Sequence, residues 1–174
     1  MKNQPVSRWR ALIICIVLAA IVVVLDIISK DIAEAVLSDG PKPFIPGFLD
    51  FYLTYNSGAA WGLFSGARAY FVIIAAVVII AVLAYILIQK QHSFLVVIGL
   101  GFFLGGSIGN AIDRLLVGAV VDFLRFLFIS FPIFNIADSA ITFGVGLLLL
   151  AILLSRINSQ PEPLTAGQTT DVDP

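Results

Sequence analysis

Four apolar runs, at about residues 11–28, 70–88, 94–112 and 140–154, constrain this chain more than any other feature. At ~1.5 Å per residue, each run can cross most or all of a ~30 Å hydrocarbon layer as a helix. Helices satisfy their own backbone hydrogen bonds, which a segment in lipid must do. The last run is the shortest and needs Ile136, Ala137 or polar neighbours to complete its span. The composition agrees: 60% of the 174 residues are hydrophobic and only 12% charged, whereas a soluble domain is about a quarter charged. One membrane domain is therefore expected over 1–174, all-α in its spans.

A cleavable signal peptide is the competing reading of the first run, since Lys2, Arg8 and Arg10 precede it and Ala33-Glu34-Ala35 mimics a cleavage site. The intervening Asp26, Lys30 and Asp31, and the length of the run, argue for a retained helix. Cys15 lies in that run behind Leu12-Ile13-Ile14, a poor lipoprotein box. As a lone cysteine it excludes a disulfide framework or a cysteine metal site. His92, in the polar turn QKQHS, reads as a solvated loop residue rather than a ligand. A net charge of −1 gives no sign of nucleic acid as a partner.

Orientation follows from Lys and Arg near the span ends. With both termini inside, Lys2, Arg8, Arg10, Lys90 and Arg156 are cytoplasmic, and Lys30, Lys42, Arg68, Arg114 and Arg125 are outside. The count is a tie, and the acid-free N-terminal cluster decides for N-in. Residues 1–10 and the polar tail 157–174, expected to be disordered, are then cytoplasmic, and the long connections 29–69 and 113–139 face outward.

The first connection carries FIPGFLDFYLTY, an aromatic and β-branched stretch bounded by Gly and Pro. It suits a small β-rich outer-face subdomain at the membrane interface. Asn56-Ser57-Gly58-Ala59-Ala60-Trp61 follows, an amide and small residues that admit close backbone approach; a plain turn explains it equally. In the third run Gly101, Gly105 and Gly109 repeat every four residues, a tight-packing face. Gly106, Asn110 and Arg114 form a second stripe, ending in a guanidinium that is costly in lipid. Asp26 and Lys30 stand i,i+4 with acid before base, the favourable order for a helical ion pair, which points first to architecture.

Two acids remain. Asp138, in FNIADSA, opens the last helix, where the dipole favours a carboxylate and a simple capping role suffices. Asp122, in VVDF, follows the third span and alone reads as a surface residue. Together at one membrane face, two carboxylates sharing a site split their pKa values. An ionised member can activate water while a protonated member donates to a carbonyl. Paired intramembrane acids also serve proton relays, but no internal repeat of the two halves supports a transporter. In a structural protein the two acids would be incidental.

In order around the four spans, DIISK, NSGAAWG, GGSIGNAIDR, GAVVDF and FNIADSA resemble the lipoprotein signal peptidases, the bacterial signal peptidase II family. The resemblance runs from about Asp26 into the fourth span, without departure at the motif positions. It implies an aspartic endopeptidase of the bacterial inner membrane, its active site near the outer face, with no cofactor or metal. The implied substrate is a prolipoprotein, cut just before a cysteine that carries diacylglycerol, with membrane lipids around it. The cyclic peptide globomycin is the implied inhibitor. By matching motif, Asp122 and Asp138 are the catalytic pair, with Asn56, Gly58, Asn110, Arg114, Asn135 and Ala137 around the substrate or the carboxylates. Asp26 and Lys30 match a further functional pair. Trp61 and nearby aromatics are candidates to grip substrate, although interfacial anchoring accounts for them as well.

Overall fold

The computed structural model describes residues 5–58 and 68–158. Its elements in chain order are β1 (Val6–Ser7), α1 (Arg8–Leu37), β2 (Lys42–Ile45), β3 (Leu49–Asn56), α2 (Arg68–Ile88), β4 (Gln91–His92), α3 (Phe94–Leu116), β5 (Val120–Phe126) and α4 (Ile136–Asn158). All four helices are long and apolar enough to cross a membrane. Trp61, and the tail from 159 onward, lie outside the described residues.

α3 is the hub of the bundle and packs against each of the other three helices. Its glycines explain how. Gly101, Gly105 and Gly109 face α1, where an added Cβ would meet Leu18, then Ala19 and Val22, then the Asp26 carboxylate. Gly99 and Gly106 face α4 instead, against Gly144 and the Ala137 carbonyl. The expected four-residue repeat is thus one of two small-residue faces on the same helix. With lipid on the outside, close backbone approach supplies the dispersion contacts that hold such helices together. A core of Ala11, Cys15, Ala19, Val82, Ile86, Val97, Leu100 and Leu104 fills the remaining space.

The helices outlast the apolar runs. α1 has 30 residues, roughly 45 Å at 1.5 Å per residue, so residues 29–37, expected in a connection, are helical. They stay helical because Ala33 and Leu37 pack on Phe123 of β5. α3 continues four residues past 112 to Leu116. α4 begins at Ile136 rather than 140 and runs to Asn158, so the first two residues of the expected tail are helix.

The β-rich piece was expected from the first connection alone, yet one of its three strands comes from the second. The sheet has the order β2-β3-β5, antiparallel throughout, with Thr54 opposite Asp122 and Asn56 opposite Val120. The acid that read as a surface residue is therefore a strand residue, 1% exposed. At the other end of the bundle β1 pairs with β4, Val6 opposite His92. His92 is not solvated: it is 3% exposed, and its Nε2 lies 3.0 Å from the Ile86 carbonyl oxygen. That carbonyl is one of those a helix end leaves without an intrahelical partner, which is why an imidazole is drawn in.

Candidate active site

Asn135 stands just before α4. Its Oδ1 accepts the Asp138 N–H at 2.9 Å, while Asp138 Oδ2 accepts the Asn135 N–H at 3.2 Å. This is a reciprocal capping box with Asp in the acidic position. The other oxygen, Asp138 Oδ1, takes an N–H from Asn110 Nδ2 at 2.7 Å. Asp138 therefore caps its helix and still faces outward to a group on α3.

Asp122 is held in the same manner from two sides. Asn135 Nδ2 donates to Oδ1 at 2.8 Å, and Asn56 Nδ2 donates to Oδ2 at 3.1 Å. Each amide is oriented by its second partner. Asn56 Oδ1 accepts the Gly58 N–H at 3.0 Å, which leaves its NH2 for Asp122. Asn110 Oδ1 accepts from Asn135 Nδ2 at 3.1 Å, which turns its NH2 to Asp138. Asn135, fully buried, thus bonds both aspartates. Burial, then the neighbouring Asp138, pushes the Asp122 carboxyl up to about 7, against the opposing pull of Asn56, Lys30 and Asn135.

Beneath the pair lies a buried charge cluster. Lys30 Nζ contacts Asp26 Oδ2 at 2.6 Å and Asp113 Oδ2 at 2.8 Å, and reaches Asn110 Oδ1 at 3.4 Å. Asp26 Oδ1 accepts the Ala137 N–H at 2.9 Å, satisfying a free N–H in the first turn of α4. Arg114 donates to the Gly58 carbonyl at 3.0 Å and to the Asn110 carbonyl at 3.2 Å, with its guanidinium 4.6 Å from the centre of the Phe71 ring. Every residue anticipated around Asp122 and Asp138 is therefore brought together, with Ala137 contributing through its backbone.

Asp113 was missed as a member, although it stands in GNAIDR beside Arg114. Its value depends on Lys30 and β5, which no local pattern reports. Among the described residues, no group of three or more His, Cys, Asp or Glu is placed to hold a metal ion.

Both carboxylates open on one cavity of about 780 Å³. Its polar end is Asn56, Asn110, Arg114, Asp122 and Asp138; its apolar wall includes Phe71, Ile74 and Val78 of α2, Phe103 of α3 and Ile141 of α4. α2 and α4 flank α3 with at most marginal contact between them. The cavity is thus a groove floored by α3, charged at one end and oily along the rest.

The family model described as signal peptidase II matches residues 18–154. The lipoprotein signal peptidases of Staphylococcus aureus strains JH9 and Newman are each 36% identical over 148 residues, 83% of this chain and 91% of the relative. A bacterial membrane enzyme solved by the in meso method at 2.3 Å resolution aligns with TM-score 0.77 and 34% identity, over 86% of this chain and 93% of that one. A second, solved at 1.9 Å, aligns with TM-score 0.73 and 37% identity, over 80% and 92%.

Proposed function

The chain belongs to the signal peptidase II family and is a peptidase, and from that premise we propose an aspartic mechanism centred on Asp122 and Asp138. The supporting observation is that two buried carboxylates, from a strand and a helix, share Asn135 and one cavity. Near neutral pH the pair carries one proton, because two like charges in a desolvated site resist joint ionisation. The ionised carboxylate takes a proton from water, and the resulting hydroxide adds to the scissile carbonyl carbon. The protonated carboxyl hydrogen-bonds the carbonyl oxygen as negative charge builds there. Transfer of a proton to the amide nitrogen then lets the C–N bond break, releasing an acid and an amine. Asn56, Asn110 and Asn135 hold the carboxylates in place, and Arg114 fixes Gly58 at the cavity mouth.

The substrate is a prolipoprotein whose signal peptide is removed before a diacylglyceryl cysteine. The oily groove between α2 and α4 suits acyl chains that remain in lipid while the peptide bond meets the charged end. Globomycin would occupy the same groove. The protein sits in the bacterial inner membrane with both termini cytoplasmic and the groove's charged end outward.

The test is cleavage of a diacylglyceryl-modified prolipoprotein by Asp122→Asn and Asp138→Asn. Each is expected to lose at least ~10³-fold in turnover. Near wild-type turnover by either variant, with its thermal unfolding unchanged, would sink the assignment.

A further inference from the structure

Asp113 stands in the last turn of α3 and holds the strand that follows. Its carbonyl accepts the N–H groups of Val117 and Gly118, at 2.7 and 3.1 Å, and the chain turns at Gly118 with φ +90°. Its side-chain Oδ2 accepts the Val121 N–H at 3.0 Å, one residue before Asp122. The Val121 carbonyl takes an N–H from Asn135 Nδ2 at 3.1 Å. β5 is an edge strand, so those outward backbone groups have no ladder partner, and a carboxylate and an amide replace one.

We infer that Asp113, with Lys30 as its counter-ion, is a positioning residue that fixes Asp122 on its strand and sets the net charge beneath the dyad. The pH window of cleavage then follows that charge. The inference rests on the dyad reading above. The formal charges of Asp26, Lys30 and Asp113 sum to one negative, and Lys30 reaches Asp138 through a single amide, Asn110. The charged groups acting on Asp122 are Lys30 from α1, Arg114 from α3 and Asp138 from α4; Asp26 from α1 and Asp113 from α3 are the counter-ions of Lys30. β3 contributes the neutral Asn56. Removing the charge of Asp113 favours the ionised carboxylates, so both limbs of the profile must move to lower pH.

The pH dependence of kcat/KM, measured on the full-length enzyme with lipidated prolipoprotein, tests this. Asp113→Asn is expected to lower kcat by roughly 10- to 100-fold, since a neutral amide no longer pairs with Lys30 and accepts the Val121 N–H more weakly than a carboxylate does. It should also move both limbs down by roughly one pH unit. Asp113→Glu keeps the charge, so kcat falls while the limbs stay. K30M/D113N restores one net negative charge and should return the limbs to their wild-type positions. Unmoved limbs in Asp113→Asn, or an equal shift in Asp113→Glu, would overturn the inference, as would a double variant that keeps the shift. Should Asp113→Asn not accumulate in the membrane, Lys30→Met alone must move the limbs to higher pH, and limbs that stay put overturn the inference as well. Failure of the dyad itself reads differently, as an Asp122→Asn enzyme that still turns over.

Discussion

Asn135 makes its contacts with every polar atom it has: its N–H and Oδ1 meet Asp138, and its Nδ2 meets Asp122. Asn135→Ala removes a helix cap, a donor to Asp122 and a donor to the Val121 carbonyl at once. A loss of about 1–2 kcal/mol in stability is expected, read by thermal unfolding, together with a fall in kcat. Asn56 acts on one carboxylate only. Its N–H favours the charged form of Asp122, so Asn56→Leu should raise the pKa beyond about 7 and move the alkaline limb of kcat/KM, where the pair loses its last proton, to higher pH by roughly half a unit to one. An alkaline limb that moves downward or stays in place would show that Asn56 does not feel the titrating group. FNIADSA showed an acid at a helix mouth, and capping would have explained it. What no reading of that segment contains is the second oxygen of Asp138, which turns to Asn110 on another helix.

At the level of elements, α3 and α4 meet at a contact with no room for one more methyl group. A Cβ on Gly106 would strike the Ala137 carbonyl oxygen, which is backbone and cannot swing away. Gly106→Ala is expected to cost about 1–3 kcal/mol and, by shifting the first turn of α4 with Asp138, to lower cleavage by at least ~10-fold. Gly146→Ala in the same bundle meets nothing within 4 Å and should stay within ~0.5 kcal/mol of wild type. Equal loss in both variants would place the effect in expression or insertion instead, since Ala favours a helix over Gly. The glycine spacing was legible because a period of four residues is local. β5 was not: VVDFLRF is a short apolar run, and such runs fit strand and buried helix equally until a partner strand is known. β1 and β4, two residues each, are too short to announce themselves, so His92 read as a turn residue.

For the whole molecule, the sheet carrying Asp122 and the β1–β4 pair lie at opposite ends of an up-down-up-down bundle. Cys15, the single cysteine, is fully buried, so a Cys15→Ala background leaves clean sites for labelling. Lys42→Cys, on β2, is expected to react with a membrane-impermeant maleimide in intact cells. Lys90→Cys, beside β4, should react only after the membrane is opened. The reverse pattern would invert the topology and put the groove's charged end in the cytoplasm. The Lys and Arg count could not settle this, since several of the outer cations answer to particular partners: Lys30 to Asp26 and Asp113, Arg114 to Gly58, and Arg125 to Asp50.

The number of spans, the places where polar groups stand against an apolar background, and the order of motifs that marks the family can all be read along the chain. These are local properties, set by hydropathy over about twenty residues and by side-chain identity. Three contacts exist only once the chain is packed: Asp26 caps a helix that begins at Ile136, Asp113 bonds the strand of Asp122, and one asparagine serves both carboxylates. Such contacts arise where α1, α3, α4 and β5 converge. Their geometry depends on how closely small residues let the backbones approach, and that distance is a property of the packed bundle.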